Sequence, residues 1–303
     1  MKIAIATEEA FHYAKTPADA VRCFQGTGFR YIDYTFSGNH LEGSPFMKED
    51  EKEWKQIIHD AGEAAAECNF QFVQAHASNY NPMGTAGDHQ ACLRAMNRNV
   101  EACGILGISA IVVHTSISPQ HLYPMDKDAY FQYNREFLRG MLKTAEKYGT
   151  YICIENSTVK NMGPQYFFRT PEEMLEFVEF CGHPLLKCCW DTGHAVLEGK
   201  GNQYEDITKL GDQLKAIHLH DNGGQSDQHI APYCGCLQMD SVVQALKDIK
   251  YTGYFTYETA FFMDKINGTG PLSKLPLELR QDAWRLLYKI AKLALETYGI
   301  YEE

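Results

Sequence analysis

Asp191 closes the apolar run of Cys188, Cys189 and Trp190, and His194 follows it within the stretch CCWDTGHAVLEG, residues 188–199. A carboxylate at the tip of a buried strand and an imidazole one turn further on can grip one ion. Burying a bare carboxylate in apolar surroundings is costly unless a cation or hydrogen-bond donors accompany it. The competing reading is structural, because an Asp after a strand is also a common helix N-cap and the His can simply stack. The same residue types recur along the chain. The last polar residues of the later strands are His76, His114, Glu155, Asp191, His218 and Glu258, and His194, Asp227 and His229 lie close by in sequence. A single His at a strand end is more often a satisfied core residue than a ligand. Successive strand ends that all carry His, Glu or Asp, among otherwise apolar residues, point instead to a divalent-metal centre. His218 and His220 share a parity, so both can point inward and the sequence does not separate them. His218 is favoured as the ligand, which leaves His220 nearer the rim for substrate contact or as a hydrogen-bonded support.

Such residues meet only if the strands that carry them converge. Residues 2–6, 31–36, 70–76, 110–114, 151–155, 187–191, 215–220 and 254–258 read as strands. Helical patterns lie between and after them, over 16–24, 49–68, 88–106, 130–149, 170–181, 204–210, 240–249 and 277–298. In the fourth of these, Tyr130, Phe137, Met141, Ala145 and Tyr148 form one stripe; in the last, Trp284, Leu287, Ala291 and Ala294 do. Thr170-Pro171-Glu172-Glu173 is a capping box with Pro at the first helical position, and Asp240 is expected to cap the helix that follows it. Strand–helix units repeated without a linker predict an α/β fold, a single (β/α)8 TIM barrel over residues 1–303 with its active site at the C-terminal strand ends. An open doubly wound sheet competes, but it usually places a Gly-rich phosphate turn after the first strand, where this chain reads TEEAFHY.

Composition narrows the function classes. The 303 residues are 45% hydrophobic and 22% charged, enough for one large core. The net charge is −11, from 39 acids against 28 bases without any basic run, which disfavours a nucleic-acid partner. The opening MKIAIAT has no leader-like pattern and no apolar stretch approaches membrane-spanning length, so a soluble, cytoplasmic protein is expected, with no membrane partner and a homo-oligomer left open. Several of the ten cysteines lie in apolar runs, as reduced thiols do, and Cys234-Gly-Cys236 is a poor zinc or disulfide signature.

The motifs IENS, CWDTGHA, IHLHD, DQH and YET, in that order, resemble the xylose-isomerase-like barrel superfamily, which holds sugar phosphate isomerases and epimerases and the type 2 apurinic endonucleases. The resemblance spans nearly the whole chain. It implies metal ligands at Glu155, Asp191, His218 and Glu258, a substrate-binding histidine at His194, and Glu155 and Glu258 as the catalytic pair that takes and returns a proton. It also implies a divalent ion: Mn or Zn, with Mg or Co compatible. One departure matters, since Gly224 stands where the family's ketose epimerases carry an arginine. Asp227-Gln228-His229, with His76, His114 and His194, is similar instead to the fuller set with which the endonucleases hold three zinc ions, so these positions are candidates for substrate contact or for additional metal. The loops TEEAFHY, SGNHLEGSP, SNYNPMGTAGDH and DNGGQSDQH contain no Lys or Arg to meet phosphates. The expectation is therefore a metal-dependent isomerase or epimerase of a sugar, cyclitol or sugar derivative, without phosphate. A lyase of the same superfamily, dehydrating a keto-cyclitol or cleaving a carbon-linked glycoside, is the alternative, and an apurinic-site endonuclease ranks below both. Phe11, Phe36, Tyr80, Phe261 and Phe262 make the rim aromatic, either to seat a larger glycoside or as ordinary loop packing.

Overall fold

Alternation along each strand decides this architecture, because one parity must pack under helices while the other fills a closed interior. The computed structural model describes residues 1–83, 88–116, 126–163, 166–263 and 274–303. The strands are β1 (Ile3–Ala6), β2 (Tyr31–Thr35), β3 (Gln71–His76), β4 (Ala110–Val113), β5 (Tyr151–Glu155), β6 (Leu186–Asp191), β7 (Leu214–His218) and β8 (Phe255–Tyr257). All neighbouring pairs are parallel, in the order β7-β6-β5-β4-β3-β2-β1-β8. The ring closes through a parallel bridge between Leu219 and Tyr257, with Leu219 N–H donating to Thr256 at 2.8 Å. This is the single (β/α)8 barrel that the strand spacing predicts.

The helices are α1 (Pro17–Arg22), α2 (Lys52–Cys68), α3 (His89–Leu106), α4 (Lys127–Tyr148), α5 (Val159–Met162), α6 (Pro171–Cys181), α7 (Thr192–Leu197), α8 (Tyr204–Leu210), α9 (Met239–Asp248) and α10 (Leu277–Thr297). Ile111, Val113, Ile152, Ile154, Cys188, Trp190 and Ile217 belong to the large core beneath them. The opposite parity supplies a separate small cluster of Ala110, Val112, Cys153, Cys189 and Ala216, which fills the barrel interior. Continuing that inward parity leads to His114, Glu155, Asp191, His218 and His220, so one alternation rule packs the lumen and aims the polar residues into its mouth.

The capping box of α6 is present, with Thr170 Oγ accepting from Glu173 N–H and Glu173 accepting from Thr170 N–H at 2.9 Å. Asp240 does not cap α9. The helix begins one residue earlier, at Met239, and Asp240 accepts instead from the Tyr298 hydroxyl at 2.8 Å. The short α5, α7 and a 3-10 turn at Thr7–Ala10 carry too few apolar residues for periodicity to register. Cys234 and Cys236 are exposed, and all ten cysteines are free. Among the described residues, no helix is long and apolar enough to cross a membrane.

The seam between β8 and β1 has its own buried clamp. Glu9 and Arg280 are both fully buried and pair at 2.6 Å, and the Trp284 ring N–H donates to the same carboxylate oxygen at 3.3 Å. The other Glu9 oxygen accepts from the Thr259 hydroxyl at 2.7 Å and from the Thr259 N–H. One carboxylate on the first βα turn thus ties α10 to the residue that follows Glu258. Removing one partner of a buried ion pair leaves the other uncompensated, so Arg280→Leu should cost about 3–5 kcal/mol in urea denaturation. Thr170→Ala, which only removes a cap, should cost about 1 kcal/mol.

Candidate active site

The strand register brings the sequence-predicted residues into contact. Asp191 pairs with His218 across β6 and β7, and Glu155 lies beside Cys189 across β5 and β6. Glu155, Asp191, His218 and Glu258 converge, each offering a ligand atom within 4.8 Å of the others. Two further groups adjoin them under the same criterion: His76, His114 and Glu155 on one side, and His194, His220, Asp227 and His229 on the other. Glu155 belongs to both the central and the first of these groups.

Four of the imidazoles are held through one nitrogen and present the other, whereas His114 and His220 contact carboxylates through Nε2 and have no partner at a buried Nδ1. The Nδ1–H groups of His76, His194 and His229 donate to the backbone carbonyls of Ala77, Asn156 and Glu258 at 2.7, 2.9 and 2.9 Å. Their Nε2 atoms are left facing carboxylates: Glu155 at 3.5 Å for His76, and Asp227 at 3.2 and 3.3 Å for His194 and His229. His218 is reversed, with Nδ1 2.6 Å from Glu155 and 3.3 Å from Glu258, and Nε2 3.6 Å from Asp33. A carbonyl or carboxylate behind one ring nitrogen is the arrangement that fixes the tautomer of a metal-ligating histidine. Glu155 Oε2, Asp227 Oδ1 and Asp33 Oδ1 are buried without a hydrogen-bond partner, which fits acceptors kept for a cation. The donor set and its supports fit a divalent metal.

Asp191 takes the helix-cap position that its place in the sequence allowed, and it also belongs to the central group. Its carboxylate caps α7 by accepting from His194 N–H at 2.6 Å, and its other oxygen lies 3.0 Å from His220 Nε2. His220 therefore supports the Asp191 carboxylate, and its ring stacks on His229 with centroids 3.9 Å apart. Gly193 makes room for that ring, since a Cβ there would lie 1.9 Å from His220 Cε1. His229 sits at φ 44°, a left-handed conformation costly for a non-glycine residue and held only where the surroundings impose it. The loop that carries Asp227 and His229 is closed at its base by a bridge between Asp221 and Ile230, and Asp221 accepts from Gly235 and Leu237 N–H, both at 2.9 Å. Asn161, on α5, donates to Asp227 at 2.7 Å.

Sequence reasoning missed Asp33 and Asn156. Asp33, on β2, receives Gln74 Nε2 at 2.6 Å beneath His218. Its signal was a lone acid within the apolar strand YIDYT. Asn156 brackets the β6 end, donating to Asp191 C=O at 2.9 Å and accepting Asp191 N–H at 2.6 Å. Of the expected aromatic rim, Phe36 and Tyr80 are buried in the core and Phe11 is exposed, while Phe261 lines the cavity edge-on to His229. Gly224 adopts φ 77°, which disfavours any side chain, and its carbonyl accepts from Lys160 at 2.8 Å.

Over the ligand groups lies a cavity of about 460 Å3 whose described lining includes Glu8, Thr35, Ser37, His40 and Asn79 but neither Lys nor Arg. Within it the carboxylates separate. Burial would raise Glu155, yet the charges of His218 and His114 hold it well below the usual carboxylate range. Burial pushes Glu258 up to about 8, and His218 only partly offsets it.

A family model described as the xylose isomerase-like TIM barrel matches residues 24–266. The chain belongs to that family. It is 34% identical to the D-psicose 3-epimerase of Enterocloster bolteae over 116 residues, 38% of this chain and 36% of that protein. It spans about half or less of the length of the curated relatives it matches. Among solved structures, a D-tagatose 3-epimerase-like protein superposes with a TM-score of 0.71 at 20% identity, covering 99% of this chain and 100% of the other. The IolI protein, solved with a bound zinc atom, gives 0.72 at 17% identity, with 99% and 100% covered. At such identities these two structures support the barrel fold alone.

Electrostatics make ion binding a proton exchange. Burial lowers His76, but the hydrogen bond and charge of Glu155, with Glu258 behind, raise it to about 9. His194 is likewise raised against burial, by Asp191 and Asp227, to about 10. Both are protonated at neutral pH, and a metal needs the bare Nε2. His218 and His229 are raised against burial as well, the first by Glu258 and the second by Asp227, so filling the central group alone displaces a proton from His218, and filling the outer groups also displaces those of His76, His194 and His229. Apparent affinity should rise with pH until pH 9–10, the range in which those protons leave by themselves. Calorimetric titration with Zn or Mn in buffers of different ionisation heat measures the release, and none at pH 7 would contradict this electrostatic picture.

Proposed function

We propose that the protein is a divalent-metal-dependent epimerase or isomerase of an unphosphorylated sugar, cyclitol or sugar derivative, acting by proton transfer. The observation that carries this reading is the pairing of Glu155 and Glu258. Both approach the same His218 nitrogen, at 2.6 and 3.3 Å, yet one is held ionised and the other is pushed up to about 8. Two carboxyls that reach one imidazole from different strands suit the taking and the returning of a proton. The similarity to a D-psicose 3-epimerase supports the same class.

Glu155, Asp191, His218 and Glu258 would hold the ion. When bound, a divalent ion supplies Lewis-acid polarisation of a carbonyl and its neighbouring hydroxyl. Glu155, kept ionised by the imidazoles around it, takes the proton from the carbon next to the carbonyl. Glu258 returns a proton from the other side, so the configuration inverts or the carbonyl moves. His194 and His229 are oriented for substrate hydroxyls by their backbone-held Nδ1–H, and Ser37, Asn79 and Glu8 line the cavity beyond them. A phosphate would meet no Lys or Arg among the described lining residues, which weighs against phosphorylated substrates and against a nucleic-acid backbone.

The outer groups favour a second reading. If ions also fill His76–His114–Glu155 and His194–Asp227–His229, both Glu155 oxygens are engaged and it no longer serves as a base. A multi-ion lyase or phosphodiesterase would then be the better description. Elemental analysis of protein purified without chelator decides between them, with about one ion expected for the epimerase reading. Asp191→Ala should abolish ion retention, whereas His220→Ala should keep the ion. Asp33→Asn, which weakens the support behind His218, should lower affinity about 10–100-fold.

The chemistry itself is tested in heavy water. Turnover of a ketohexose or keto-cyclitol should place solvent deuterium at the inverted or newly formed C–H. Glu155→Gln should cripple turnover while retaining some metal, because an amide offers an oxygen but accepts no proton. A product free of deuterium after many turnovers would remove Glu155 and Glu258 from the proton route. Exchange followed by loss of water or of an attached group would indicate the lyase.

A further inference from the structure

Glu8 and Glu9 are consecutive acids on the 3-10 turn after β1, yet they meet opposite fates. Glu9 is buried against Arg280, Trp284 and Thr259. Glu8 is partly buried and lines the cavity, and among the described residues its carboxylate has no hydrogen bond or ion pair. Its place is fixed from both sides, because Thr7 Oγ accepts from Thr35 N–H at 2.9 Å and Glu9 is held by its clamp. The protonated imidazoles face other carboxylates: His76 and His218 meet Glu155, and His194 and His229 meet Asp227. Burial lowers His40, and it lowers His114 to about 4, so neither supplies a positive charge at pH 7. A second group without a partner stands across the mouth. Ser157, after β5, lines the cavity at 1% exposure, with its hydroxyl buried and unpartnered among the described residues.

We propose that the substrate carries a protonated amine, as an amino sugar or aminocyclitol does, and that Glu8 receives this ammonium group while Ser157 meets a hydroxyl at the far side. This assignment rests on the cavity being the sugar site proposed above, and it adds the charge of the substrate. Compensation is the reason. A partly desolvated carboxylate gains most from a charge-assisted hydrogen bond, and the described lining offers Glu8 no Lys or Arg to make one. Burial is the main reason that Glu258 is raised, and the charge of Glu8 adds to it, so the β8–β1 side of the mouth concentrates negative charge. A neutral hydroxyl donates one hydrogen bond there and leaves that charge in place. An ammonium group brings three N–H donors and the missing positive charge. The net charge of −11 draws a cationic sugar toward the mouth as well. Because β1 adjoins β8 and lies opposite β5 in the ring, the amine sits on the Glu258 side of the reacting carbons.

Calorimetry on the metal-loaded full chain at pH 7 compares D-fructose with its two terminal amines, which bear nitrogen on the first or the sixth carbon, and with their N-acetyl forms. One amine should bind at least about tenfold more tightly than fructose and than its own N-acetyl form, and added salt should shrink the difference. Glu8→Gln, which keeps the shape and removes the charge, should reduce that preference to about twofold or less, with ion content and melting curve as the controls for folding. Ser157→Ala should weaken the amine and fructose by the same factor, since it removes a contact to a hydroxyl. If fructose binds and neither amine binds better, or if the preference survives Glu8→Gln, the amine assignment is overturned while the sugar reading stands. If none of these sugars binds the metal-loaded chain, both fall. Loss of the ion in Glu8→Gln would make Glu8 a support of the metal, which also overturns the assignment.

Discussion

The mouth of this barrel is organised around the buried carboxylate of Glu155. It is 1% exposed and has His218 at 2.6 Å, His114 at 3.2 Å and His76 at 3.5 Å. Asp33, Asp191 and Glu258 are buried within the same space, and Asp227 lies at its edge. No Lys or Arg enters the cavity from the described lining to balance them. So much negative charge cannot remain uncompensated at low dielectric, so it must be met by protons on the imidazoles or by cations. The elevated His76 and His194 are the first solution, and a bound metal is the second.

That requirement explains several local costs. A histidine at φ 44° and a glycine fixed by an imaginary Cβ 1.9 Å from a ring are expensive ways to arrange a loop. They set His229 and His220 face to face, with His220 against Asp191 and His229 against Asp227. On the opposite side, the Glu9–Arg280 clamp fixes Thr259 and with it the chain direction at Glu258. The site is thus held from β6, β7 and β8 by separate buried contacts.

The barrel was legible because alternation and helical periodicity are physical requirements of burial, repeated from β1 to α10. The convergence of the candidate ligands was legible for the same reason: parity carries Glu155, Asp191 and His218 inward together. Other features depend on space rather than pattern. Asp33 supports His218 from a strand more than 180 residues away in sequence, and no local spacing announces such a contact. Asn156 lay within a quoted motif, but its grip on both backbone groups of Asp191 appears only once β5 and β6 are adjacent. Asp240 misled because an acid near a helix start resembles a cap whether or not its side chain turns back to the helix; here it turns to Tyr298. The choice between His218 and His220 was open by parity and is divided by depth: His218 joins the central carboxylates, and His220 supports Asp191 from outside.

The candidate ligands alone do not choose between a sugar isomerase and a phosphodiesterase, since His76, His114, His194, Asp227 and His229 adjoin the central group. The distinction lies in what surrounds them. A phosphodiesterase must hold polyanions next to a mouth that is already rich in carboxylates, and it needs fixed cations for that approach. In the described loops, Ser, Thr, Asn and His line the cavity, groups that exchange hydrogen bonds with hydroxyls at little electrostatic cost. Lys160, on the α5 that supplies Asn161 and Met162 to the lining, gives its ammonium to the Gly224 carbonyl at 2.8 Å. A neutral polyol can enter such a cavity by replacing water hydrogen bonds one for one, whereas a phosphate would lose its hydration and gain no counter-charge. The same ligand set therefore has different chemistry available to it according to the neutrality of its walls.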